Sequence, residues 1–155
     1  MQQAILANRL REVILNGKWV AGTNFREQLQ ELPWQIAVRQ VSGLNTIALL
    51  AQHIHYYIQG IKQVLEGGPL EIRDKFSFDF APIKSEGQWK AFLDIMWTDT
   101  EALAKLIAQF SDAELNLDFA NKIYGTTFRN IDALIEHSYY HLGQIVLIKK
   151  IMSDR

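Results

Sequence analysis

Residues 45–69 read NTIALLAQHIHYYIQGIKQVLEGGP, and this stretch decides the fold. It is apolar-rich from Asn45 to Leu65, too long for an ordinary strand, and it closes on Gly67-Gly68-Pro69. Glycine supports the left-handed cap that ends a helix, and proline cannot continue one. The spacing predicts a long helix, the second of four. One face carries Thr46, Leu49, Leu50, His53, Tyr57 and Gly60, whereas His55 shares a side with Gln52, Gln59 and Lys62. Two positions apart on a helix means roughly 200° apart, so the two histidines cannot face the same interior. His53 is expected inside and His55 at the surface or rim.

Upstream, Gln2 to Leu15 places Ile5, Leu6, Leu10, Val13 and Ile14 at helical spacing before Asn16-Gly17, which predicts helix one. Lys18 to Gly43 holds Gly22, Pro33 and a short candidate helix from Asn24 to Leu32 with Asn24 as N-cap, and reads as a long connection. Downstream, Pro69 to Ile83 alternates Phe76, Phe78 and Phe80, a strand-like period too short for a sheet, and reads as an extended flap. Ser85 with Gln88 forms a capping-box pattern that opens helix three, Glu86 to Phe110, with Trp89 and Trp97 on one packing stripe. Ser111 to Gly125 is turn-rich, with one short helical turn after Ser111. Helix four covers Phe128 to Met152 on a stripe that includes Ile131, Leu134, Ile135, Leu142 and Ile145. Four amphipathic segments without a convincing sheet predict an all-α, up-down-up-down four-helix bundle forming one domain over residues 1–155.

Composition narrows the chemistry. There is no cysteine, which excludes disulfides, thiolate ligands and a cysteine nucleophile and suits a reducing compartment. Sixteen basic and 17 acidic residues, well mixed, give a net charge of −1 and no electrostatic footprint for nucleic acid. Lys149-Lys150 is the one basic cluster and is read as complementing the dipole of its own helix end. The first residues lack a signal-peptide pattern and no apolar run reaches roughly 18 residues, so a cytoplasmic protein without a membrane span is expected.

The four histidines fall at two places, His53 with His55 and His137 with His141. His137 and His141 are four apart and project from one helical face, as chelation of one ion requires. A third ligand from a neighbouring helix would complete such a site, and His53 is the inward candidate. The same residues could instead be partly buried histidines bonded to Tyr139, Tyr140 or backbone carbonyls.

The run Thr46-Ile47-Ala48-Leu49-Leu50-Ala51-Gln52-His53-Ile54 resembles the second-helix motif of the DinB/YfiT-like superfamily, where Ser or Thr followed by Ile precedes a metal-binding His by seven residues. Glu136-His137-Ser138-Tyr139-Tyr140-His141-Leu142-Gly143-Gln144-Ile145 is similar to its fourth-helix motif. The resemblance implies a four-helix bundle, often dimeric, with a divalent metal on His53, His137 and His141. It also implies, for several members, transfer of a low-molecular-weight thiol to a small-molecule substrate. The long connection and the Phe-rich flap depart from shorter members.

Three neutral imidazoles leave the charge of a divalent ion uncompensated, so such a site would lower the pKa of a water or thiol beside it and support hydrolysis or thiol transfer. Imidazole ligands suit zinc, nickel, copper or ferrous iron, which the sequence does not separate; zinc is expected first and nickel second. The leading expectation is a metal-dependent transferase; the alternative is a non-catalytic metal- or ligand-binding bundle. Glu136 and Tyr140 are possible partners of the ligating rings, although a residue next to a ligand points about 100° away, which favours solvent for Glu136. Asp74, Lys75 and Asp79 are candidates for contact with a polar substrate or, more simply, the wet side of a half-buried loop.

Overall fold

The computed structural model describes residues 1–153, which contain seven α-helices and no strand. The chain opens with α1 (Gln2–Arg11), which runs into one π-helical turn (Glu12–Asn16) and stops at Gly17. A side chain at Gly17 would lie 2.1 Å from Glu12 Cγ, so glycine is required there by close approach. The connection holds two short helices, α2 (Phe25–Leu29) and α3 (Trp34–Ala37). Asn24 caps α2 as expected, its side chain accepting the Glu27 N–H at 2.9 Å. The second short helix has no strong signal in the sequence beyond Pro33 before it.

The long helix α4 (Ile47–Leu65) begins at Thr46, whose hydroxyl accepts the Leu49 N–H at 3.1 Å. It ends in the paired bonds of a Schellman motif: Gly68 N–H to the Gln63 carbonyl, Gly67 N–H to the Val64 carbonyl, with Gly67 left-handed at φ 89°. Next come a 3₁₀ turn (Asp74–Phe76) inside the flap, α5 (Glu86–Gln109), α6 (Asp112–Leu115), a second 3₁₀ turn (Lys122–Tyr124) and α7 (Thr127–Ser153). Ser85 caps α5 through the Gln88 N–H, but the Gln88 side chain returns to the Lys84 N–H rather than to that of Ser85. The complete capping box is at Ser111 and Glu114, opening α6.

The first helix packs along α5 and touches α7, while α4 packs along both α7 and α5. The buried apolar residues of these helices form one contiguous cluster that includes Leu10, Ile14, Ile54, Ile58, Leu93, Met96, Ile135 and Ile145. Trp89 and Trp97 are buried in it as their spacing implies, and both also fasten the connection to α5. The indole N–H of Trp89 donates to the Leu32 carbonyl at 2.9 Å, and that of Trp97 to Gln30 Oε1 at 2.8 Å. Lys149 does not serve its own helix end: its ammonium donates to the carbonyl and side-chain oxygens of Gln28, on the last turn of α2.

Two features bring the flap onto α4. Gly60 leaves room for Ile72, whose Cγ2 would lie 2.4 Å from a side-chain carbon at position 60. Along the same face, Tyr56 bonds both backbone groups of Arg73, and the Tyr57 hydroxyl donates to Asp74 Oδ1 at 2.7 Å. The phenylalanine alternation therefore does not make a strand. Phe76 and Phe78 are 46% and 40% exposed, and the residue driven inward between them is Ser77, at 3%. Among the described residues, no helix is long and apolar enough to cross a membrane.

Candidate metal centre

Thr46 caps α4 seven residues, or about two turns, before His53, which places the two on one side of the helix. On α7, His137 and His141 stand one turn apart and face α4. The three side chains meet. The Nε2 atom of His137 lies 2.7 Å from Nε2 of His141 and 3.2 Å from Nε2 of His53. One ligand atom from each of the three falls within 4.8 Å of the others.

The outer nitrogens explain why these inner ones converge. Nδ1–H of His53 donates to the Ser77 carbonyl at 2.8 Å, and because a carbonyl only accepts, Nδ1 carries the proton and Nε2 is a bare lone pair. Nδ1–H of His141 donates to Gln144 Oε1 at 2.6 Å, with the same result. The cluster then has at most one N–H of its own, on His137, to place between two unprotonated nitrogens. Such an N–H can serve one of them and leaves the other facing a nitrogen with no proton, an unfavourable state for a buried polar atom. A cation answers all three lone pairs at once. The donor set, three neutral imidazoles oriented by hydrogen bonds on their far nitrogens, can bind a metal ion.

Electrostatics favour the neutral rings. Burial lowers the pKa of each of the three histidines, and that of His137 falls to about 4 because the neighbouring rings of His141 and His53 also oppose its protonation. The Ser77 and Gln144 acceptors pull the other way on their partners, but less than burial does. Near neutral pH the three histidines would need to shed no protons to take up a metal.

Aromatic side chains surround the cluster. Phe78 stacks flat on His53 with ring centroids 4.0 Å apart, and Tyr57 stands edge-on to His53 and His137 at 5.1 and 5.3 Å. Tyr140 packs edge-on against His141 at 4.9 Å but stays 64% exposed, and it makes no hydrogen bond to a ligating ring. His53 and His141 are buried and His137 is half-buried.

The remaining candidates divide. Glu136 faces solvent and pairs with Arg129 at 2.9 Å. Asp74 touches the centre indirectly, through the Tyr57 hydroxyl, and its charge acts on His53 and His137. Lys75 lies over the Phe76 ring, and Asp79 is exposed. His55 is not at the surface. It is 7% exposed, its Nε2 is 2.8 Å from Asp99 Oδ2 on α5, and the same carboxylate accepts from Gln59 at 3.2 Å. The polar neighbours Gln52, Gln59 and Lys62 suggested a wet face. That face instead meets α5, and a carboxylate there satisfies the imidazole.

Sequence reasoning assigned no role to Ser77, Phe78 or Gln144. Gln144 had a signal, being three residues past His141 on the same helical side. The other two are brought to His53 by the path of the flap, which local spacing does not encode. No protein-family model, curated protein or solved structure is significantly similar to this chain.

Proposed function

We propose that this chain is an up-down-up-down four-helix bundle of the DinB/YfiT-like kind that holds one divalent ion, zinc before nickel, on His53, His137 and His141. We propose further that it uses the ion to activate a low-molecular-weight thiol for transfer to a small electrophile. The observation that carries the reading is the convergence of three Nε2 atoms whose far nitrogens are tied to Ser77 and Gln144. The contacts of α1 and α4 with both α5 and α7 support the bundle.

When bound, such an ion supplies Lewis-acid polarisation and lowers the pKa of an exchangeable donor beside it. Ser77 and Gln144 keep the ligating rings in one tautomer and one orientation. Phe78 and Tyr57 exclude water from the His53 side, which strengthens every electrostatic interaction there. In the transfer itself the thiol sulfur replaces the leaving group on the electrophile's carbon, and the thiol proton passes to solvent.

The burial of His53 and His141 favours a second reading, in which the ion is structural or regulatory. Elemental analysis of chain purified without added metal or a metal-affinity tag separates the cases. About one equivalent of metal, lost in His141→Ala, is expected, together with faster conjugation of a thiol from a panel including glutathione and bacillithiol to a haloarene. Metal without turnover of any thiol would move the protein to the second reading, and chain that takes up no metal would remove both.

A further inference from the structure

Beside the histidine cluster lies a cleft of about 340 Å³, bounded by α4, the flap and the start of α7. Its apolar wall includes Ile61, Ile72 and Phe119, and its polar rim includes Arg73, Asp74 and Asn130. Tyr57 belongs to the cleft and to the metal centre at once. Its ring edge faces His53 and His137, and its hydroxyl reaches Asp74. The cleft is thus one aromatic ring away from the ligating nitrogens.

Neither charge at the rim is in an ion pair among the described residues. Tyr57 occupies only Oδ1 of Asp74, and no other side chain among the described residues donates to that carboxylate. The backbone of Arg73 is held through both its N–H and its carbonyl by Tyr56, which fixes where the residue sits, yet its guanidinium forms no ion pair among the described residues. Opposite charges on adjacent residues, left unpaired above an apolar wall, suit a ligand that brings both signs and an apolar body. At roughly 30 Å³ for each water-sized group, the volume holds about a dozen non-hydrogen atoms.

We infer that the cleft binds a small zwitterionic molecule of the apolar α-amino-acid class. Its ammonium lies on Asp74, its carboxylate on Arg73, and its apolar part on Ile61, Ile72 and Phe119. The role of the cleft as the substrate-holding half of the site rests on the metal-centre reading. The binding does not.

The test is titration of the zinc-loaded full chain with L-phenylalanine, 3-phenylpropionate and phenethylamine, followed by amide chemical shifts. L-phenylalanine should saturate, shift Arg73, Asp74 and Asn130, and bind about fivefold more tightly than either singly charged analogue, the scale of one partly exposed charge pair. Asp74→Asn and Arg73→Gln should each remove about that factor while zinc content is unchanged. Cobalt in place of zinc should broaden the signals of the bound amino acid, since only a Tyr57 ring intervenes. No saturable binding, no preference for the zwitterion, or shifts clustered elsewhere would overturn the inference, even with the metal in place. Conversely, His137→Ala should lose the metal and keep the amino-acid site, so failure of the metal reading leaves a different signature.

Discussion

At position 53 a single imidazole makes three kinds of contact: a hydrogen bond to the Ser77 carbonyl, a flat stack on Phe78, and an Nε2 lone pair aimed at His137. Truncating it removes a ligand, and His53→Ala is expected to abolish tight metal binding, as His137→Ala and His141→Ala should. His55→Ala is expected to leave metal content nearly unchanged and to cost about 1–3 kcal/mol of stability, because Asp99 loses its buried partner. Metal analysis and denaturant unfolding of the same preparations check both; equal metal loss in the two variants would overturn the ligand assignment. Gln144→Met removes the acceptor that orients His141 and should weaken metal affinity by about 10–100-fold, measurable against a competing chelator.

The same residues give the protein a directional pH response. The pKa of His137 is about 4 in the folded chain, against about 6.5 for an unperturbed histidine. Between those values the unfolded chain binds more protons, so stability rises with pH in that window. Metal-free protein should therefore be stable above about pH 6.5 and lose stability as pH falls toward 4, with the same sign from His53 and His141. In the metal-loaded protein, release on acidification should have its midpoint well below pH 6.5. A midpoint at or above it would show that the rings are solvated like free imidazole.

Among the elements, the flap is the one whose position the site depends on, since Ser77 and Phe78 both reach His53 from it. It is seated where α4 lacks a side chain. Gly60→Ala would put a methyl group 2.4 Å from Ile72 Cγ2, and the Ile72 side chain must shift to relieve it, pressing on the flap that carries it. The expected cost is about 1–3 kcal/mol, with weaker metal affinity because the Ser77 carbonyl moves as well. Unfolding and metal titration of this variant test the linkage, and a change in stability with unaltered affinity would show that the flap is not coupled to the centre.

For the whole molecule, the apolar core is extensive without any contribution from the three histidines. It is built from Leu10, Ile54, Met96, Ile135 and their neighbours, well over half of them fully enclosed. Chelation should leave the far-ultraviolet helix signal essentially intact and lower the unfolding temperature by a few degrees, by loss of the ion's binding energy to the native state alone. Unfolding on chelation would make the ion part of the fold.

What could be read without coordinates is what local spacing controls. Helix periodicity, the Asn24 cap, the helical turn after Ser111, the Gly67-Gly68 stop and the common face of His137 and His141 depend on residues within about five positions of one another, and each appears as its pattern implies. Tertiary structure alone decided which partner each face meets. His55 has a polar neighbourhood along the chain, yet it is buried because Asp99, 44 residues away, is carried to it by α5. Ser77 has no pattern marking it, yet it orients His53 because Gly60 lets the flap lie on α4. Local hydrogen bonding sets how a segment is shaped, whereas burial and the tautomer of a buried ring depend on groups brought from far along the chain.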